Sequence, residues 1–421
     1  MFNRFFIIFL IIFLFSSHLP SAQESYGNIA DYLNNIYNID DNAGLTAFPV
    51  LNIPMGGRAE GMAMAFAAVA NDISFIEYNP AGSAMLSTSE FAFFHNNWIA
   101  DTRIEGLAFG TNIKKLGLAA GLKWLYTPFT EYNLYGDRVS SGYYSEGVAT
   151  LNISYNFLSG FYFSGLSVGL NIKGAFRIMP DFTDDWENII EKSGSAQSAF
   201  MGMADVGFLT RFNLAKFYVS REKNASAAVV LKNLGPPVLG EGLPTAINAA
   251  ISYKPIRPLI IALDFNLPFN FADISFSEKP NASLGVSADI TKFLSMHAGF
   301  MYRAGSSRMA IGSTINFDRV VLDVNYTLDL LTQMQPLNRI SLGVRIDLGD
   351  GGKKYNSEIA EEYYLLGLEA YALGKIAEAR LCWQQALRYY ADFDPAKESL
   401  AMLEGREALV NRVDELQSLD F

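Results

Sequence analysis

The chain has 421 residues, half of them hydrophobic and 14 % aromatic, with a formal net charge of −11. An acidic balance with no basic run argues against a nucleic-acid partner and against docking on anionic lipid through a polybasic segment. The single cysteine, Cys382, excludes an intrachain disulfide and a cysteine-based metal site, and His18, His95 and His297 are too scattered for a zinc cluster.

Residues 1–22 read as a signal peptide. Arg4 precedes the apolar run Phe5 to Phe15, and the small, polar stretch Ser16 to Ala22 follows. The run is shorter than the roughly 20 residues a membrane helix needs, so export with removal is expected. No cysteine lies near the cleavage zone, which argues against a lipoprotein leader. The next zone, residues 23–88, holds a Gly/Ala-rich, mildly apolar stretch over 55–86, broken by the turn cluster Asn79-Pro80-Ala81-Gly82.

Residues 89–348 alternate strand after strand. Leu118, Ala120, Leu122, Trp124 and Tyr126 oppose Ala119, Gly121 and Lys123. Leu151, Ile153, Tyr155 and Phe157 oppose Asn152, Ser154 and Asn156, and Ile340, Leu342, Val344 and Ile346 oppose Ser341, Gly343 and Arg345. Period-2 alternation in repeated segments of about ten residues is the mark of a transmembrane barrel. The spacing predicts about fourteen antiparallel strands, with short turns after even strands and longer loops after odd ones. The turn after the fourth strand is expected at Leu158-Ser159-Gly160, and 128–143 and 179–196 are expected as long loops, whereas 214–223 is long on the even side. Trp98, Trp124, Tyr126, Tyr155, Phe157, Phe317 and Tyr326 fall near strand ends, as an aromatic girdle would place them. A soluble β-sandwich also alternates, but with its apolar faces turned inward.

A barrel of this strand number is wide enough that something must fill it or leave a channel. The natural place for the stretch before the first strand is therefore the lumen, as a plug. Trp124, Tyr126, Phe129 and Tyr132, in and beside one loop, and Phe182 and Trp186 in another, become candidates for capturing an apolar ligand under the family resemblance described below; the competing reading sets such aromatics at the membrane interface. Lys123, Lys173 and Arg303 are expected to face the lumen as head-group cations or, alternatively, as partners of Asp289, Asp323 or Asp329.

Residues 349–356 read as a polar, Gly-rich linker. From 357 to 421 the period turns helical, with Tyr363, Leu366, Gly367, Ala379, Trp383 and Ala386 at packing positions. That spacing resembles a tetratricopeptide repeat, although Ala391 stands where proline is usual and one such repeat cannot bury its own face. The helix from 394 to 418, with Ala396, Leu400, Leu403, Val410 and Val413 at helical spacing, is the expected cap.

Gly61, Met62, Ala63, Ala65, Phe66, Ala68, Ala70, Asn71, Asp72 and Ser74, followed by Asn79-Pro80-Ala81 and Gly82, resemble the hatch of the FadL outer-membrane transporter family and of the related PorV/PorQ-type barrels. With Arg58, the positions Gly61, Asn71, Asp72, Asn79, Pro80, Ala81 and Gly82 form the candidate plug set. The resemblance implies diffusive uptake of long-chain fatty acids or other hydrophobic molecules through a plugged barrel with a lateral exit.

The fold expected is thus an all-β transmembrane barrel with an N-terminal luminal plug and a small all-α tetratricopeptide-like tail. It would sit in the outer membrane of a diderm bacterium, among outer-membrane lipid, with the tail in the periplasm. The function expected is uptake of hydrophobic small molecules. The alternative is a non-transporting scaffold barrel that recruits a periplasmic or secretion partner through its tail, and a third reading is an aqueous porin. No cofactor or metal is expected. Gly165-Leu166-Ser167-Val168-Gly169 matches the G-x-S-x-G elbow, but its serine lies mid-strand rather than at a strand-to-helix turn, so no enzyme is expected.

Overall fold

Among the described residues, fourteen antiparallel strands close into one barrel. The structure is a computed structural model that describes residues 40–99, 101–133, 135–181, 183, 190–271, 273–330 and 339–418. The expected signal segment, Phe182 and Trp186 lie outside the described residues. The strands are β1 (Glu90–Asn97), β2 (Arg103–Ile113), β3 (Leu116–Tyr132), β4 (Arg138–Phe157), β5 (Leu166–Ile178), β6 (Ala199–Phe212) and β7 (Ala225–Leu234). They continue with β8 (Ala246–Ile256), β9 (Leu259–Pro268), β10 (Asn281–Asp289), β11 (Leu294–Tyr302), β12 (Arg308–Phe317), β13 (Val320–Asp329) and β14 (Arg339–Asp347). Each pairs with its sequence neighbours, and β1 closes on β14 through Phe93↔Val344 and Phe91↔Ile346.

The alternation is inside-out. Leu122, Leu151, Ile153, Ile340 and Leu342 are exposed on the outer wall, whereas Asn152, Ser154, Ser341 and Arg345 are buried inside. An apolar outer wall around a polar, enclosed interior is the arrangement of a barrel in hydrocarbon, and a continuous apolar surface of that extent is foreign to water-soluble monomers. Among the described residues no helix is long and apolar enough to cross a membrane.

Three expectations for the barrel wall need correction. The loop 128–143 is mostly strand, because β3 and β4 run past the rim as a paired ribbon, turning only at 133–137, where Asn133 Oδ1 accepts the backbone N–H groups of Tyr135 and Asp137. Pro128 is tolerated there because β2 pairing ends at Tyr126↔Arg103, leaving that side of β3 an edge. The turn after β4 is not tight: 158–165 forms a loop, and β5 begins only at Leu166. Trp98 leaves the girdle and turns inward. The Arg339 and Arg308 guanidinium carbons lie 3.7 Å and 5.4 Å from its ring centroid.

Residues 46–86 run through the interior as short helical turns joined by irregular backbone. Inward-facing glycines let them approach the wall. A Cβ on Gly169 would lie 2.2 Å from the Pro80 carbonyl carbon, and one on Gly299 would lie 2.4 Å from that of Met62.

The tail holds three helices, α1 (Lys353–Ala372), α2 (Ile376–Tyr389) and α3 (Asp394–Ser418). The linker is shorter than expected. Asp350 accepts from the backbone N–H of Gly352 at 2.9 Å and of Lys354 at 2.8 Å, so α1 starts at Lys353. Trp383, Ala379 and Ala386 are fully buried, Gly367 packs on the Trp383 ring, and Tyr363 stacks on Tyr389. Leu366, expected in the core, is instead 46 % exposed, because the inward face of α1 is made by Ala360, Gly367 and Ala370. Ala396 and Leu403 are buried in the same core, Leu400 packs against it, and Val413 is exposed; the Val410 side chain lies outside what is described.

The tail is fastened to three even-side turns. Phe161 packs into its core against Phe393 at 5.1 Å, and the Phe161 N–H donates to Asp394 Oδ2 at 2.7 Å. Lys115 pairs with Asp392 at 2.9 Å, and Arg221 pairs with Glu361 through two hydrogen bonds.

Two measurements check this packing. Gly169→Val is expected to destabilise the barrel by about 3 kcal/mol through overpacking, whereas Gly202→Val, whose Cβ would meet nothing within 4 Å, stays within about 0.5 kcal/mol, both read by urea unfolding in detergent. Phe161→Ala should make protease cleavage of the full chain at 349–352 about tenfold faster, the equivalent of ~1.4 kcal/mol.

Candidate functional site in the barrel interior

The irregular backbone of residues 46–86 has few partners of its own, and the barrel wall supplies them. Asn152 donates to the Pro80 carbonyl at 2.9 Å, Ser167 to Ala81 at 2.7 Å, Asn171 to Ile76 at 3.1 Å and Ser226 to Ala68 at 2.6 Å. Carboxylates take the amides: Asp264 accepts from Phe66 and Ala67, Glu90 from Ile73, and Glu146 from Val50. Ser167, the serine of the G-x-S-x-G match, is therefore a buried wall contact in mid-strand.

Several residues of the candidate plug set meet at one place. Arg58 donates to Asn71 Oδ1 at 3.1 Å and lies 3.9 Å from Asp72, which is 3.4 Å from Arg345 on β14. Arg345 in turn holds Asp323 at 2.9 Å. Asn79 caps its own turn, accepting from the Ala81 N–H at 3.0 Å and donating to the Ala67 carbonyl at 2.8 Å. Pro80 and Ala81 are the carbonyls bonded by the wall, Gly82 lies against Phe75, and Gly61 lies against Gly312.

All three candidate cations face the interior, but their partners differ from those expected. Lys123 pairs with Glu77 at 2.5 Å, Lys173 with Asp205 at 2.6 Å, and Arg303 with Glu278 at 2.5 Å. The three expected aspartates are engaged elsewhere: Asp323 with Arg345, Asp329 with Arg339 and Asp289 with Ser295. Lys173 and Arg303 line one cavity of about 130 Å³, together with Tyr78, Leu243, Phe269 and Asp264. A cavity of about 150 Å³ accommodates one benzene, so this space has room for a ring or a head group.

Lys232 was missed by sequence reading. It lies on the same cavity, with Nζ 5.1 Å from the Tyr78 ring centroid, and among the described residues no carboxylate is within ion-pair distance. Its parity with Ser226, Ala228 and Val230 along β7 was the available signal. The described capture candidates are not part of this cavity. Trp124 is on the outer wall against Tyr126 at 5.0 Å, and Phe129 and Tyr132 sit on the β3 ribbon rather than in a loop.

The profile of UPF0164, an uncharacterised protein family, matches residues 33–351. The chain belongs to the UPF0164 family. The match stops where the tail begins. Two UPF0164 proteins of Treponema pallidum (strain Nichols) are 29 % and 26 % identical to this one; each alignment covers 83 % of this chain, and they cover 80 % and 74 % of the respective relatives. Among solved structures, the CymD monoaromatic hydrocarbon channel is similar with a TM-score of 0.49 at 12 % identity, covering 72 % of this chain and 99 % of that one. The Ralstonia pickettii toluene transporter TbuX gives a TM-score of 0.44 at 10 % identity, with 72 % and 99 % covered. Likeness at that level carries nothing about what this UPF0164 barrel binds.

The Lys173–Asp205 pair is a direct check on the interior. Lys173→Met leaves Asp205 buried without its cation and should cost about 3–5 kcal/mol in detergent unfolding, while the double change Lys173→Met/Asp205→Leu recovers most of it.

Proposed function

We propose that this UPF0164 chain is an outer-membrane transporter of hydrophobic small molecules, with residues 46–86 as its plug. The observation that carries the reading is a lysine without a carboxylate partner among the described residues, Lys232, facing a cavity between that segment and the wall. A lone ammonium beside Tyr78, Leu243 and Phe269 suits a ligand with an anionic head and an apolar body, and long-chain fatty acids are the class that the hatch resemblance names. The cavity is too small for such a chain, so passage requires the plug to shift. The contacts to be exchanged are those of Lys123 with Glu77 and of Asp264 with the Phe66 and Ala67 amides. A lateral exit through the wall, as the resemblance implies, would deliver the ligand without a full opening of the lumen.

Under this reading the leader exports the chain, and the tail lies in the periplasm. The even turns that hold it share a rim with both ends of the barrel, which supports that placement. The same firm attachment favours a second reading, a scaffold barrel that presents its tetratricopeptide-like tail to a periplasmic protein.

The test is uptake of a fluorescent long-chain fatty acid by vesicles containing the purified chain. Transport should saturate, and Lys232→Gln should raise the half-saturating concentration about tenfold, the equivalent of ~1.4 kcal/mol. Planar-bilayer conductance should stay near baseline. Absent uptake with a folded barrel would leave the scaffold reading, and steady conductance would mean a porin.

A further inference from the structure

On the opposite side of residues 46–86, toward the rim that holds the tail, lies a second cavity of about 400 Å³. Its apolar wall includes Val69 and Met85 from the interior segment and Phe161 from the β4–β5 loop. Its charged groups are Arg211, Arg221, Lys223 and Lys254 against one carboxylate, Glu222.

Arg211 decides the chemistry. One of its guanidinium nitrogens, Nη2, donates to the Val69 and Ala70 carbonyls at 3.2 and 3.3 Å. Among the described residues no carboxylate lies within ion-pair distance of it, and Glu222 is engaged with Lys254 at 3.4 Å. A guanidinium carries five N–H donors in a fixed fork, so the neutral carbonyls leave both its charge and most of its donors unanswered. That charge has no carboxylate partner among the described residues, and a planar two-oxygen anion matches the fork. Arg221 does not compete for that anion, because Glu361 of the tail already holds it.

We infer that this cavity binds the anionic head of an amphiphile, a carboxylate or phosphate monoester on a saturated chain, with the head on Arg211 and the chain along Val69, Met85 and Phe161. Lys254, at the rim, adds a second, solvated cation. The inference shares only a ligand class with the transport reading. It concerns a different cavity and holds whether or not anything crosses the plug.

Isothermal titration of the full chain in a non-ionic detergent tests it with three twelve-carbon probes: laurate, dodecyl phosphate and dodecanol. Laurate or dodecyl phosphate should bind at least about tenfold more tightly than dodecanol, the equivalent of ~1.4 kcal/mol. Preference for laurate points to a free fatty acid as the natural source, and preference for dodecyl phosphate to a lipid phosphate. Arg211→Gln should remove that preference, and Lys232→Gln, in the other cavity, should leave it intact. Lys254→Gln, at a partly exposed rim position, should weaken it several-fold. Equal binding of dodecanol, or wild-type binding by folded Arg211→Gln, overturns the inference. Should Arg211→Gln fail to fold, unchanged binding by Lys254→Gln overturns it as well. Loss of binding in Lys232→Gln alone would assign the probes to the first cavity and overturn it too.

Discussion

The structure depends on how the backbone of residues 46–86 is satisfied inside the barrel. Irregular chain at membrane depth has no water to bond, and it is tolerated only where protein buries it. Here the substitute for water is a ring of short polar side chains on the wall, Asn152, Ser167, Asn171, Ser226 and Asn325 for the carbonyls and Asp264, Glu90 and Glu146 for the amides. Because the same strands turn leucine, isoleucine and phenylalanine outward, one period-2 pattern serves lipid and interior at once.

Close approach is the second condition, and glycine supplies it. Gly169, Gly207, Gly285 and Gly299 come from four strands, and a Cβ on any of them would run into the interior segment. Charge is handled by local pairing. Lys123–Glu77 and Asp72–Arg345 cross between segment and wall, whereas Lys173–Asp205 stays within the wall. Such pairs specify position more than they add stability, since each charge has lost its hydration. Among the described residues Lys232 and Arg211 stand outside this pairing, each beside one of the two cavities described above.

Strand number, inside-out alternation and the helical tail were legible because they rest on periodicity within short windows. What was misread rests on contacts between distant positions. Pro128 and Gly136 mark a loop by local rule, but pairing with Tyr143 carries β3 onward. Trp98 has the composition of a girdle residue and goes inward because two arginines from β12 and β14 take its ring. No window reveals that Lys123 pairs with Glu77, or that Arg303 pairs with Glu278 rather than with Asp289 or Asp329. Leu366 fits the repeat spacing and is exposed because Gly367, with Tyr364 and Tyr371, takes the face of α1 that meets Trp383.

The loop after β4 lends Phe161 to the helical tail, where it sits among Tyr364, Tyr390 and Phe393. The tail therefore cannot complete its own interior; one of its aromatic fillers belongs to another part of the chain. Since β4 and β5 must be paired to present that loop, a fully packed tail requires this part of the wall to be in place, and the tail core reads out the state of the barrel beneath it.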